Sequence, residues 1–127
     1  EGKEMIKKRP DLMSVSEIHQ VADSYGKGTS AYADCLLAGA KAYPTDVTAI
    51  NNAALALMEA GRANEAVVLL EHAPQNAVLL NVLGVAYLNT GQMAQAEAAF
   101  AKSASLGYTE GTQNLNTLKA YMEYYAE

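Results

Sequence analysis

At 127 residues, half of them hydrophobic, the chain is long enough to bury one continuous core and reads as one domain. Its net charge of −5 speaks against a nucleic-acid binder, which needs a basic stripe over the phosphates. No apolar run approaches the length that spans a bilayer, and a lone Cys35 rules out an intrachain disulfide without pointing to either redox compartment.

Residues 1–10 are polar and basic, and Lys3, Lys7, Lys8 and Arg9 are four of the nine basic residues. Two readings stay open for them, a linker arm or a short helix running up to Pro10. A start at Glu1 rather than Met gives the expectation of a piece of something longer. Asp11 to Tyr25 is the first expected helix, with Met13, Val15, Ile18, Val21 and Ala22 on its apolar side. Ser14 or Ser16 caps it, and Ser14 with Glu17 has capping-box spacing. Residues 26–30 form a turn, with Thr29 or Ser30 capping a helix over Ala31 to Tyr43. That helix buries Tyr32, Leu36, Leu37 and Ala40, and Pro44 stops it.

From Thr45 to Ala73 and from Asn76 to Gly107 the same pattern occurs twice. Ile50, Ala53-Ala54, Leu57, Gly61, Ala66 and Leu70 align with Leu80, Leu83-Gly84, Tyr87, Gly91, Ala96 and Phe100, each 30 residues apart. Each copy is two apolar-faced stretches of helical period joined through a glycine turn. Gly84 and Ala96 are small where two antiparallel helices would cross, and Leu83, Tyr87 and Phe100 fill the seam beside them. Glu110 to Ala126 is a final helix with Leu115, Leu118, Tyr121, Met122 and Tyr125 on its inner side.

Leu80, two residues, Leu83-Gly84, two residues, Tyr87, then Ala96, three residues, Phe100 resembles the tetratricopeptide pattern W-x2-L-G-x2-Y…A-x3-F, with Leu80 in the Trp place. The resemblance implies an all-α fold, a short right-handed solenoid of antiparallel helix pairs with about seven helices. On that reading residues 1–10 are an N-terminal arm and 11–127 the repeat domain. Its units are 11–44, 45–75 and 76–109, closed by a capping helix over 110–126. The usual repeat is about 34 residues, so the connection around Pro74 is expected to be short. The first unit is degenerate, since His19 and Gln20 stand where Leu83 and Gly84 stand.

Nothing in the chain assembles a catalytic or metal constellation, and no cofactor is expected. His19 and His72 lie in different units with no ligand spacing, Cys35 reads as a small buried apolar residue, and Gly26-Lys27-Gly28-Thr29 lacks the strand and spacing of a phosphate loop. The resemblance implies instead a non-enzymatic scaffold that binds an extended peptide or partner domain on its concave face. The candidate partner-binding residues are Asn51, Asn52, Leu55, Met58, Asn81, Val85, Leu88 and Asn116. Asn51 and Asn81 are in step, one per unit, and each amide both donates and accepts. The competing reading has these amides bonding between neighbouring helices, with Leu55 and Val85 simply packed there. A Lys/Arg clamp for a C-terminal carboxylate is missing. Tyr121, Tyr124 and Tyr125 are either a second contact surface or the packing of the cap.

The run from Asp11 through Ala-Tyr-Pro-Thr-Asp at Ala42 to Asp46, followed by Asn51-Asn52-Ala53-Ala54, is also similar to the tetratricopeptide-like C-terminal region of Bacteroidales cell-envelope proteins of unknown function. That likeness implies a periplasmic or outer-membrane-associated address without direct membrane insertion, and a neighbouring domain in the same chain. The alternative function is then a structural spacer or self-assembly domain.

Overall fold

The computed structural model describes residues 2–126, so Glu1 and Glu127, the ends of the expected arm and domain, lie outside the described residues. It holds α1 (Gly2–Lys8), a 3-10 turn (Pro10–Leu12), α2 (Val15–Asp23), α3 (Ser30–Ala42), α4 (Val47–Glu59), α5 (Ala63–Glu71), α6 (Ala77–Asn89), α7 (Met93–Ser105) and α8 (Thr109–Tyr125). No strand occurs among the described residues. The seven expected helices are α2 to α8.

An eighth, α1, makes residues 2–8 helical, the second of the two readings for that stretch. Seven residues are too few to hold a helix in water unaided. Ile6 is buried, and the Lys3 ammonium sits 4.2 Å from the centre of the Tyr25 ring. Residues 2–8 are therefore a helix docked on the body of the domain.

Local chemistry sets most boundaries. Ser14 and Glu17 make a full capping box on α2, while Pro10 draws the preceding residues into a 3-10 turn, so this helix starts four residues later than expected. Thr29, Asp46 and Asn76 cap α3, α4 and α6 through their side-chain oxygens. After α4 and α6, Gly61 and Gly91 both take φ of +76°, where a side chain would be strained. There the Arg62 N–H reaches Leu57 O at 2.7 Å and the Gln92 N–H reaches Tyr87 O at 2.8 Å. These are Schellman closures, matched after the first helices of the second and third helix pairs.

The helices pair as α2 with α3, α4 with α5, and α6 with α7, and α8 packs on α7 and α6. Close approach at each crossing needs a small residue opposite a large one. In the third pair a β-carbon on Gly84 would overlap the Phe100 ring, and Ala96 is fully buried beside it. In the first pair the arrangement is reversed: Gly39 on α3 lies against Ile18 on α2, with 3.1 Å from a built β-carbon to Ile18 Cγ2. That is why α2 does without a glycine of its own. A further close approach, Gly111 on α8 against Ser103 on α7, mounts the last helix. Ser103 is fully buried and donates to Ala77 O at 2.7 Å, so its hydroxyl is satisfied.

The short repeat step has a different origin from the one expected. The link between α5 and α6 spans residues 72–76, longer than the 106–108 link after α7. It is α5 itself that is short, nine residues against thirteen in α7. Pro74 disfavours helix at Ala73 and cannot continue one, so α5 ends at Glu71 with His72 as its cap.

Candidate partner-binding surface

Along the stack α4 packs against α6 and α6 against α8, with no comparable packing among the second helices α3, α5 and α7. The first helices thus form the closer-packed, inner side. They run in the same direction with their C-terminal ends together: Asn89 Nδ2 donates to Met58 Sδ at 3.3 Å, and Leu88 and Tyr121 line one cleft.

The eight candidate residues fall into three groups. Leu55 on α4 and Leu88 on α6 are 43 % and 38 % exposed although their neighbours Ala54, Ala56 and Tyr87 are buried. Val85, half-buried, joins Leu88 in a cleft of about 440 Å³ between α6, α7 and α8, whose other apolar walls are Met93, Phe100, Leu118 and Tyr121. Met58 is partly buried, spent on Asn89.

The amides behave differently from one another. Asn81 Oδ1 accepts a 2.8 Å hydrogen bond from Asn114 Nδ2 on α8, which is the helix-to-helix use of the amide. Asn51 Oδ1 is buried with no hydrogen-bond donor among the described residues, and Asn52 is half-buried. Asn116 is exposed and stands apart from the row: two residues beyond Asn114, it points about 200° round the helix. On α8 the inner row is Asn114, Leu118 and Tyr121. The 30-residue step that relates α4 to α6 would lead from Asn81 to Gly111; α7 is four residues longer than α5, and the residue that meets Asn81 is Asn114, 33 positions on.

The tyrosines at the end of α8 pack against each other, Tyr121 and Tyr125 tilted with ring centroids 4.6 Å apart and Tyr124 edge-on to Tyr125 at 4.9 Å. They are exposed rather than packed beneath the cap, because α8 runs four residues longer than α6 and overhangs the body.

Titratable groups elsewhere do not converge. His19 Nε2 lies 3.6 Å from Asp23 and 3.4 Å from the Tyr32 hydroxyl, and His72 Nδ1 lies 2.8 Å from Val68 O. Among the described residues no three of His, Cys, Asp and Glu cluster as a metal site. Burial, with the charge of Asp34, pushes the Cys35 thiol up, away from thiolate reactivity. No described helix is long and apolar enough to cross a membrane.

The tetratricopeptide repeat family model matches residues 57–105, from the last turn of α4 to the end of α7. With all-helical pairs stacked in register, that decides the family likeness. The chain carries a tetratricopeptide-like domain. The two Schellman turns and the Gly84–Phe100 crossing fall inside the matched stretch. No curated protein matches the chain, so the narrower likeness to cell-envelope proteins remains an expectation from sequence.

Proposed function

We propose that this tetratricopeptide-like domain is a non-enzymatic interaction module that takes an extended segment or partner domain of another protein on the inner face of α4, α6 and α8. The observation that carries the reading is the row of Leu55, Leu88 and Tyr121. Three parallel helices each leave a large apolar side chain open to solvent, and those of Leu88 and Tyr121 line an apolar cleft. Selection from a random peptide display library tests it. Peptides captured by the native chain should be lost by the Leu55→Ser/Leu88→Ser variant with helicity intact. Equal capture by that variant would sink the assignment.

A structural role as a spacer or self-assembly piece has one observation in its favour, the exposed tyrosine cluster, with Tyr124 at 77 % and Tyr125 at 66 %. Concentration-dependent light scattering that collapses in Tyr124→Ser/Tyr125→Ser would support it. A monomer at every concentration would count against it.

A further inference from the structure

We propose that the cleft between α6 and α8 receives a large aliphatic or aromatic side chain carried on a lysine- or arginine-rich segment of a partner protein. This rests on the inner-face reading above and specifies its ligand.

The anchor follows from the cleft. Most of its wall is the side chains of Val85, Leu88, Met93, Phe100, Leu118 and the ring of Tyr121; its polar groups are the hydroxyls of Thr117 and Tyr121 and the amide of Asn114, which donates to Asn81. A space of about 440 Å³ with such walls favours an apolar group over a polar one.

The flanking charge follows from the end of the molecule on which the cleft opens. Residues 10–127 carry twelve carboxylates against five lysines and arginines. Three of those five leave no free positive charge at that end. Arg62 is held by Asp34 and Glu65, Lys102 reaches Gln75 near the start of α6, and Lys41 lies with Pro44 and His72 at the opposite end of the first helices. At the cleft end, Asp23, Glu59 and Glu123 lie at or near the ends of α2, α4 and α8, and the last turns of α2, α4, α6 and α8 contain no lysine or arginine. The C-termini of α2, α4, α6 and α8 meet the N-termini of α3, α5 and α7 at this end, so the helix dipoles largely offset one another and the negative charge there is that of the carboxylates. Lys27 and Lys119 are the basic side chains left to oppose it, and His19 sits beside Asp23. Asp23 and Glu59 act together: after burial, their two charges are what raise the Tyr32 phenol.

The chain itself docks a segment of this kind elsewhere. In α1, Ile6 is the one buried residue of a helix that also carries Lys3, Lys7 and Lys8, with Lys3 set over Tyr25.

The test uses the full chain, isotope-labelled, and end-capped synthetic peptides with a central Phe flanked by lysines. Matched peptides replace the lysines with glutamates, or the Phe with Ser. The lysine–Phe peptide should shift the amides of Val85, Leu88, Asn114, Leu118 and Tyr121, with affinity falling as salt rises. Glu59→Gln/Glu123→Gln should weaken it about three- to tenfold at low salt. Leu88→Ser, or Tyr121→Ser should that variant lose helicity, should remove the shifts. If the glutamate peptide binds as tightly at the same amides, the charge preference is wrong while the inner-face reading stands. If the Ser peptide binds equally, or the shifts fall between α3 and α5, the anchor assignment is overturned. If neither these peptides nor any library-selected one perturbs α4, α6 or α8, both readings fail.

Discussion

The phenol of Tyr87 on α6 donates a 2.6 Å hydrogen bond to Glu71 Oε2 in the last turn of α5. One buried aromatic thus joins the second unit to the third, filling its own seam with the ring and holding the preceding helix with the hydroxyl. Burial, then the bond to Glu71 and its charge, raise the Tyr87 pKa to about 12. A phenol raised above its ordinary value stabilises the fold fully below pH ~10, and that stability is lost as pH climbs through about 12. Tyrosine absorbance should show a late-titrating phenol that disappears in Tyr87→Phe. The variant should lose about 1 kcal/mol in denaturant melts, because a hydrogen bond to a charged but solvent-exposed carboxylate goes unmade.

Gly84→Ala should destabilise by about 1–3 kcal/mol, since the new methyl meets a core ring that has little room to give. Helix propensity alone would favour the alanine by about 1 kcal/mol, so a net loss shows that packing wins. The second unit already contains the smaller version of this pair, Ala54 and Leu70, both buried. Gly84→Ala/Phe100→Leu should therefore recover about 1 kcal/mol over Gly84→Ala, a coupling that a thermal double-mutant cycle would read. Strict additivity would refute the crossing as described.

The two in-step asparagines should part company. Asn81→Ala breaks the bond with Asn114 and should cost about 1 kcal/mol. Asn51→Leu removes an acceptor that has no donor and should be neutral or stabilising. Urea midpoints of the two variants decide it, and equal losses would contradict the arrangement.

Arg62 bridges α3 to the start of α5, with Nη1 2.7 Å from Asp34 Oδ1 and 2.9 Å from Ser30 Oγ, and with paired bonds of 2.6 and 2.7 Å to Glu65. The guanidinium holds the Glu65 carboxyl below its ordinary value. A depressed carboxylate contributes stability above its unfolded pKa and loses it as pH falls through the folded one. Acid titration of the native chain should therefore show a loss of stability below about pH 4.5, smaller in Arg62→Ala. The variant itself should cost about 1 kcal/mol near neutral pH. An acid limb unchanged by the variant would show the pair to be idle.

Some of this was legible because its causes are local. Ser14 with Glu17, Thr29, Asp46, Asn76, and the glycines at 61 and 91 act within one turn of their own position, so residue order is enough to set where helices begin and close. The six-position register from Ile50 to Phe100 carried the pairing for the same reason, since each crossing repeats one pattern of small and large side chains. Other features depend on which helix lies beside which. That α1 docks, that Gly39 replaces a glycine on α2, that α8 meets α7 through Gly111 and Ser103, and that Asn114 rather than Asn116 faces Asn81 all turn on distances between segments far apart in the chain. The amino-acid order by itself determined the helices, their turns and their repeat. Only the packed tertiary structure decided which side chains were left over on the inner face, because burial belongs to neighbours brought together in space and not to any residue alone.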